Sequence, residues 1–253
     1  SFSGLIVPIA IGSVSDTNIL RKICSDLYGS LWSSHFAIRP AKLFDGVEQR
    51  LTILIGCHGP SDGNWYTSKY HQWFSEERSE LFSKIILVSM PPRLSEESPW
   101  PKIGSVTEAR ILEKLRIFEG SPTHLLLTDS SKWVMYFHRT PGYWIRMLDF
   151  LPFFESPAGD RSVHHIRELY ATSEAARAEI AGLGSSSLYF WWFFAIGNCR
   201  NLTKGDLLGF PAPRLDAGGA VEIVRIFNEL MKSYKDNSSV KSRAKARYQE
   251  FDW

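Results

Sequence analysis

Aromatic and basic side chains are mixed densely along residues 132–146 of the sequence. Arginine and lysine bind phosphates, arginine also reads the edge of guanine, and aromatic rings stack on bases. We therefore expect Lys132, Arg139, Tyr143 and Arg146 to contact a nucleic acid. The same pattern fits an amphipathic hairpin that buries its aromatic face, and that interpretation stays open for the aromatic residues.

A second group of polar residues flanks an aromatic stretch at residues 185–196, which we predict to be a helix. Ser186 lies at its start, whereas Arg200, Asn201 and Lys204 follow it. Hydroxyl, amide and cationic groups are common partners of backbone phosphates. These four residues are therefore candidate DNA contacts, while we assign the tryptophans of the stretch to the core.

Two other pairs of residues suggest chemistry that their pattern does not support. Cys57 and His58 are neighbours on a predicted strand, so their side chains point to opposite faces and do not form a nucleophile and base. His164 and His165 have no matching cluster of carboxylates. No metal site is expected there.

Composition limits the class of protein. With 253 residues, 44% of them hydrophobic, the chain is long enough for one large domain or two modest ones. Its formal net charge is only +2, so phosphate binding would depend on local clusters of cations. The three cysteines are far apart and form no C-x-x-C pair, which argues against disulfides and zinc and favours a cytoplasmic protein. The longest apolar run, residues 188–196, is too short to span a membrane, and no secretory signal is present.

The first ninety residues alternate between strand and helix patterns. Residues 5–11 form an apolar run that is typical of a strand buried on both faces. Asp16 and Thr17 are placed to cap a following helix, whose apolar positions recur at helical spacing and indicate its core-facing side. Further strands are predicted at residues 34–39, 51–57 and 84–89, and a short helix at 75–82. We expect this α/β region to be the closing half of a doubly wound sheet.

Prolines at positions 91, 92, 99 and 101 indicate a linker, and we place the domain boundary near residue 100. Residues 101–253 are predicted to form a mixed α+β domain that begins with a helix capped by Ser105 and Glu108. Strands are predicted at residues 125–127, 133–138, 143–148 and 163–170, with a turn at 139–142, and helices at 173–180, 185–196 and 220–234. The cations of residues 241–247 are expected to form a basic, frayed tail.

Three stretches, taken in order, resemble the γ-type N6-adenine DNA methyltransferases of restriction-modification systems, which include the M.TaqI-like and type IIG enzymes. The first, Gly4-Leu-Ile-Val-Pro8, is similar to the strand that ends in proline downstream of that family's Asn-Pro-Pro-Tyr catalytic loop. The second, Ile38-Arg-Pro-Ala-Lys-Leu-Phe44-Asp-Gly-Val47, is similar to the family's Leu-Phe-x-x-Val loop, which a strand follows. The third, residues 185–211, is similar to a segment late in the recognition region.

The resemblance implies both a fold and residue roles. It implies the closing half of a Rossmann-like methyltransferase sheet over residues 1–100 and a target-recognition domain over residues 101–253. It places Phe44 in the pocket that holds an adenine flipped out of the duplex, with Pro8 as a second candidate. The alternative for Phe44 is a plug of the core beneath its loop, and Pro8 is interpreted mainly as a structural residue. Asp45 and Gly46 would permit the tight turn that presents the ring.

The sequence has no Asn/Asp-Pro-Pro-Tyr/Phe motif and no glycine-rich loop after its first strand. The resemblance implies that both lie upstream of Gly4, so no catalytic or cofactor-binding residue is assigned. S-adenosylmethionine is expected as the cofactor of the complete enzyme, and the chain alone is expected to be inactive. Its expected partners are double-stranded DNA and a missing N-terminal catalytic segment or split partner. The alternative functions are a stand-alone DNA-binding specificity subunit acting with a separate catalytic partner, or a remnant that binds nothing.

Overall fold

The computed structural model describes residues 1–59, 64–90, 99–118, 123–159, 165–212 and 215–251. The chain divides into two compact units. The first unit is Ser1–Ile117 with Trp191–Cys199, and the second is Phe118–Phe190 with Arg200–Trp253. Pro91 and Pro92 of the predicted linker, and His164, lie outside the described residues.

The division between the units falls after residue 117, later than the predicted boundary near residue 100. The physical reason is that the helix that follows the linker packs with the first unit, where its Leu112 shares a core with Trp100 and Ile103. Ala195, from the second segment of the first unit, belongs to the same core. The first unit is therefore built from two separate parts of the chain.

The first unit is a mixed α/β structure. Its strands are β1 (Phe2–Pro8), β2 (Tyr28–Phe36), β3 (Leu51–His58), β4 (Asn64–His71) and β5 (Val88–Met90), and its helices are α1 (Asn18–Leu27) and α2 (Val106–Arg116). Short 3-10 helices span Ile9–Gly12, Ser15–Thr17 and Ser75–Glu80. The strand β4 was not predicted, because its residues are largely polar and aromatic.

The five strands form one sheet in the order β1-β3-β2-β4-β5. The strand β3 is antiparallel to both of its neighbours, β2 is parallel to β4, and β5 is antiparallel to β4. Consequently β1, β2 and β4 run in the same direction, as in a strand-helix-strand arrangement, while β3 is inserted between β1 and β2 in the opposite direction. The sheet is mixed rather than uniformly parallel.

The helix α1 forms over most of the segment whose apolar spacing predicts it, although Leu31, the last position of that spacing, lies in β2. The apolar side of α1 does not face the core. The residues that α1 buries are Arg21 and Cys24, whereas Ile19 is 73% exposed and Ile23 is 52% exposed. Arg21 is 1% exposed, and its guanidinium donates to the carbonyls of Ile11 and Val14 at 2.8 and 3.0 Å. The buried cation thus satisfies the carbonyls of the preceding turn, and the side predicted to face the core is turned outward.

The second unit contains two small sheets and several helices. Its helices are α3 (Thr123–Leu126), α4 (Glu174–Gly184), α5 (Ser187–Ile196, whose last six residues belong to the first unit), α6 (Lys204–Leu208) and α7 (Ala217–Asp236). Its strands are β6 (Leu127–Thr128), β7 (Val134–His138), β8 (Met147–Leu148), β9 (Phe154–Glu155), β10 (Ile166–Ala171), β11 (Ser238–Arg243) and β12 (Ala246–Phe251). The sheet orders are β6-β10-β7-β8 and β11-β12-β9.

Small residues allow α4 and α7 to pack closely. Ala178 and Ala181 of α4 are fully buried, and a Cβ added to Gly182 would lie 2.8 Å from Ile223 of α7. From α7, Phe227 and Met231 are buried. The predicted helix at residues 220–234 is therefore confirmed and is somewhat longer, because Asp216 caps its first turn by accepting from the Gly219 amide at 2.8 Å.

Three predictions for the second unit are wrong. Residues 123–126 form a helical turn, so only the end of the predicted strand at 125–127 is extended. The predicted strand at 143–148 is reduced to β8, because residues 143–146 form a loop. The basic tail is not frayed, since β11 and β12 pair over six residues each and β12 also pairs with β9. Within the described ranges, no helix has both the length and the apolar character needed to cross a membrane.

Candidate functional site

The first candidate site lies where β1 and β2 end. Pro8, at the end of β1, is paired with Leu51, which is paired in turn with Phe36 at the end of β2. The loop of residues 37–50, which carries Phe44, therefore leaves the same edge of the sheet at which Pro8 lies. The amide of Ile9 donates to the carbonyl of Arg50 at 2.9 Å and ties the two segments together.

The loop buries its aliphatic residues and exposes its aromatic one. Leu43 is 5% exposed and packs with Phe36, Leu51 and Trp73, and Val47 packs against the same cluster. Phe44, between them, is 41% exposed. Because the aliphatic residues already fill the space beneath the loop, Phe44 is not the plug of that core.

A tight turn sets this arrangement. The amide of Val47 donates to the carbonyl of Phe44 at 3.3 Å, which closes a four-residue turn. Gly46 occupies its third position with φ of +77°, a conformation that costs other residues free energy because of their Cβ. The prediction that Asp45 and Gly46 form a turn is confirmed.

The base of the loop is fixed by backbone and cation contacts. The guanidinium of Arg78 donates to the carbonyls of Leu43 and Lys42 at 3.1 and 2.8 Å, and it lies 5.0 Å from the centre of the Trp73 ring. The amide of Ala41 donates to the Trp73 carbonyl at 3.0 Å. These contacts fix residues 41–43, which precede Phe44. Fixed supporting residues of this kind are what an aromatic surface needs for ligand binding.

Three charged residues of the loop that carries Phe44 are paired with one another. Glu48 accepts hydrogen bonds from Lys42 and, at 3.4 Å, from Arg39. The hydrogen bond from Lys42 is the main reason that the pKa of Glu48 is lowered. The carboxylate is therefore ionised at neutral pH and is not placed as a proton donor at this edge.

Beneath the edge, a buried histidine joins three strands. His35 Nε2 lies 3.1 Å from Thr67 Oγ1, whose hydroxyl donates to the Pro101 carbonyl at 2.7 Å, and His35 Nδ1 lies 2.9 Å from Thr52 Oγ1. Because the Thr67 hydrogen is already used, Nε2–H donates to Thr67 and Nδ1 accepts from Thr52. Burial lowers the pKa of His35 well below its usual value, so this neutral tautomer persists at neutral pH.

The opposite side of β1 is an open sheet edge, because no described strand pairs with it. Its side chains are exposed on both faces of the sheet: Phe2 is 71% exposed and Ile6 is 54% exposed on one face, and Leu5 is 45% exposed on the other. Ile55 of β3, on the same face as Ile6, is 46% exposed. We call these exposed apolar residues of β1 and β3 the open apolar edge. The outward side of α1 exposes a second set of apolar residues in the same unit.

The second candidate site is a groove of about 740 Å³ in the second unit. This volume is within the range of roughly 300–1,000 Å³ that is common for ligand sites. Its walls come from β7, from the loop of residues 140–146, and from Gln249 and Phe251 of β12. Tyr143 is fully exposed at this loop, and Trp144 stacks on Phe190 with ring centres 5.4 Å apart.

The structure brings together two of the segments that the sequence predicts to bind DNA. The amide of Leu202 donates to the carbonyl of Arg139 at 2.6 Å, and the Thr140 hydroxyl donates to Asn201 Oδ1 at 3.4 Å. The amide of Arg139 donates to the His165 carbonyl at 2.7 Å. With these contacts, residues 139–146 form an irregular loop instead of a regular hairpin. They also place Asn201 beside that loop.

The predicted cations differ in their surroundings. Arg146 lines the groove and lies 5.4 Å over the Phe251 ring, whereas Arg139 is exposed and has no ion pair with any described residue. Arg200 and Lys204 are exposed on the segment that leads into α6. Their positions at the surface are compatible with phosphate binding.

Two predicted contacts have other roles. The Nζ of Lys132 lies 4.7 Å from the centre of the Trp133 ring, and Lys132 does not line the groove. The Ser186 hydroxyl donates to the Leu183 carbonyl at 2.7 Å and accepts from the Tyr189 amide at 3.1 Å, so it caps α5. We therefore give Ser186 a structural role.

Sequence reasoning missed several groove residues. His138 lines the groove beside Arg146, and desolvation, together with Arg146 and His165, lowers its pKa. Gln249 and Phe251 were missed because the segment was taken for a frayed tail, and nothing in their local pattern points to residues more than a hundred positions away. The alternation of apolar and polar residues over 246–249, Ala-Arg-Tyr-Gln, was a weak sequence signal of a strand.

Among the described residues, no group of three or more His, Cys, Asp or Glu side chains is arranged to hold a metal ion. In comparisons with known proteins, no family model matches the chain, and neither does any curated protein.

Proposed function

We propose that the chain supplies the adenine pocket and the DNA-recognition region of an S-adenosylmethionine-dependent N6-adenine DNA methyltransferase, whose catalytic loop is carried by another segment or subunit. The observation that carries the proposal is the position of Phe44. Its ring is exposed on a rigid turn, at the edge where β1 and β2 end. A base that is extruded from a duplex needs a flat apolar surface of this kind to replace the stacking that it loses.

The order of strands also supports the proposal. Ligands of open α/β sheets bind outside the carboxyl ends of the parallel strands. In the first unit β1, β2 and β4 share one direction, and Phe44 belongs to the connection that follows β2. The finer prediction, that this sheet is the closing half of a Rossmann-like methyltransferase sheet, remains part of the proposal.

The open apolar edge supports the need for a further α/β segment. A strand with apolar side chains exposed on both faces is stable in water when another strand pairs with it and helices cover both faces. Since β1 exposes such residues at an unpaired edge and α1 exposes further ones in the same unit, we assign both to contact with the segment that carries the catalytic loop.

The turn that follows β1 does not fit a cofactor-binding loop, and we derive no step through S-adenosylmethionine. The turn that follows β1 buries Ile9 and Ile11, and its carbonyls accept from Arg21. A cofactor loop instead presents free backbone amides and a nearby carboxylate. We therefore place the cofactor on the complementing segment.

In the second unit, the groove and the exposed cations support contact with DNA. Its walls combine aromatic rings with Arg146 and His138, and Arg139 lies at its margin. Cations that bind phosphates set the position on the duplex, and side chains in the groove would contact base edges. We keep Arg139, Tyr143, Arg146, Arg200, Asn201 and Lys204 as proposed contacts.

The test uses the chain complemented with the segment that carries the catalytic loop. Sequencing of methylated adenines identifies the target, and 2-aminopurine placed there reports base flipping by its fluorescence. Phe44→Ala should lower the fluorescence increase and the methylation rate, because one base–aromatic contact is worth about 1–3 kcal/mol, or roughly 5- to 150-fold.

Phe74→Ala is the matched control, since Phe74 is another exposed aromatic of the first unit, at 60% exposure, and it follows β4 rather than β2. It should leave both signals unchanged. If Phe44→Ala also leaves them unchanged, or if no adenine is methylated by the complemented chain, the proposed function is wrong.

A further inference from the structure

The hairpin of β11 and β12 carries an excess of positive charge. It contains four cations, Lys241, Arg243, Lys245 and Arg247, against one carboxylate, Glu250. Arg247 pairs with Glu155 at 2.9 Å, and Lys241 lies 3.8 Å from Glu250. Arg243 and Lys245, nearest the tip, are exposed and form no ion pair with a described residue.

The turn of the hairpin is strained. Arg243 pairs with Ala246, so Ala244 and Lys245 form a two-residue turn, with φ of 51° and 68°. Two-residue turns with positive φ at both positions strongly prefer Asn-Gly or Asp-Gly, because a Cβ is unfavourable in this conformation. Here the sequence keeps alanine and lysine. Strain of this kind persists where the surroundings hold it, and it often marks a functional segment.

The cations also have a regular spacing. Lys241 and Arg243 lie two residues apart on one face of β11, which is an edge strand. An antiparallel strand rises about 3.4 Å per residue, and each strand of DNA carries one phosphate per 3.4 Å along its axis. Because the backbone winds around that axis, neighbouring phosphates are further apart than about 3.4 Å along the backbone. Residues two apart on a β-strand, separated by about 6.8 Å, can therefore reach neighbouring phosphates.

Edge strands often carry lysines simply to prevent pairing with other chains. That role needs no cation at the tip of a strained turn, whereas Lys245 occupies this position. The face with Lys241 and Arg243 is opposite to the one on which Gln249 and Phe251 line the groove. The charges are thus directed to a part of the ligand that does not enter the groove.

We propose that the β11–β12 hairpin is an arm that binds the phosphate backbone of duplex DNA, without sequence preference, outside the segment that occupies the groove. The inference rests on the proposed function, since it takes DNA as the partner. Arg243 and Lys245 contact phosphates at the tip, and Lys241 contacts the backbone along β11. Gln249 and Phe251 connect the arm to the groove wall.

The test measures binding of the full chain to a mixed-sequence duplex of 30 base pairs at several salt concentrations. Arg243→Ser combined with Lys245→Gly should reduce the slope of log affinity against log salt by about 1.8, because each phosphate contact contributes about 0.9. Lys245→Gly alone should reduce it by about 0.9. If the affinities of Lys245→Gly and the unchanged chain are equal at 1 M salt, this change of slope corresponds to an affinity about eightfold lower for the variant at 0.1 M salt.

Ala244→Gly is the matched control, because it relaxes the same turn and keeps every charge. It should bind DNA as the unchanged chain does. If the charge variants keep the same slope of log affinity against log salt, the proposal that the hairpin binds phosphates is wrong. It is also wrong if Ala244→Gly lowers that slope equally.

A double variant, Arg139→Ala with Arg146→Ala, separates this result from a failure of the proposed function. If that variant weakens binding while the arm variants do not, DNA remains the partner and only the arm is rejected. If the unchanged chain does not bind the duplex, both proposals fail. Thermal unfolding of each variant confirms that the fold is retained.

Discussion

At the scale of single residues, two buried histidines of the first unit make its stability depend on pH. His35 is fully buried between Thr52 and Thr67, and His71 is 6% exposed and stacks on Phe36 with ring centres 5.7 Å apart. Burial lowers the pKa of His35, and burial, aided by the charge of Lys69, lowers the pKa of His71 to about 4. Both side chains are therefore neutral in the folded protein at pH 7.

We predict that the free energy of unfolding falls as the pH decreases below about 6.5. The unfolded histidines take up protons near that pH, whereas the folded ones do not, so protonation favours the unfolded chain. Each histidine should contribute a slope of up to about 1.4 kcal/mol per pH unit, and for His71 the loss continues down to about pH 4. Urea unfolding at pH 8, 6 and 5 measures the effect.

His71→Gln should reduce this slope, whereas His124→Gln, at an exposed position of α3, should not. An unfolding free energy that stays constant from pH 8 to pH 5 would contradict the prediction.

The properties of Phe44 could be predicted from the sequence only in part. The resemblance selected it, but Leu43 and Phe44 are adjacent apolar residues in a loop, where no periodicity tells which one is buried. Which of the two residues is buried depends on the contacts of Leu43 with Phe36 and Trp73, and on the hydrogen bonds from Arg78 to the loop carbonyls. These partners lie on β2 and beyond β4, so only the folded chain shows that Phe44 is the exposed residue.

At the scale of elements, sequence patterns predicted where segments form more reliably than which way they face. The spacing of apolar residues in α1 predicted a helix, and a helix is present. Its orientation is set by Arg21, whose guanidinium donates to Ile11, Val14 and Thr17 of the preceding segment, contacts that the spacing does not reveal. Likewise, β11 and β12 were missed because Ala244 and Lys245 give no glycine or asparagine signal for a turn.

A glycine in β3 permits a close contact that can be tested. A Cβ added to Gly56 would lie 2.3 Å from the ring of Tyr28, which packs edge-on against His58 at 4.9 Å between ring centres. We predict that Gly56→Ala lowers the free energy of unfolding by about 1–3 kcal/mol, because the ring or the strand must shift. Chemical denaturation of the full chain measures it.

Gly4→Ala provides the comparison, because Gly4 lies on the neighbouring strand β1 and its added Cβ would be in ordinary contact, 3.9 Å from the Leu54 carbonyl. It should change stability by about 0.5 kcal/mol or less. Equal effects of the two substitutions would show that the contact with Tyr28 is unimportant.

At the scale of the whole molecule, the first unit is not continuous in sequence. Residues 191–199 belong to it, although more than seventy residues of the second unit precede them. The Ala195 carbonyl accepts from the Lys102 amide at 2.8 Å, and Phe194 stacks on Tyr70 with ring centres 5.7 Å apart. Trp191 Nε1 donates to Glu108 at 2.9 Å.

We predict that a fragment of residues 1–117 does not unfold cooperatively. Without residues 191–199 it loses the contacts of Ala195 and Trp191 and exposes Trp100 and Ile103 of the core. Adding a synthetic peptide of residues 187–200 should restore a cooperative thermal transition, and a scrambled peptide should not. A sharp transition of the fragment alone would contradict the prediction.

The outward apolar side of α1 has a consequence for the life of the chain in a cell. A newly made polypeptide that displays Ile19, Leu20, Ile23 and Leu27 to water presents the kind of surface that chaperones hold and quality-control proteases select. If the proposed complementing segment covers this surface, copies that meet it would be shielded, while copies in excess would be held or degraded. The amount of this chain that accumulates is therefore expected to follow the supply of the segment that covers it.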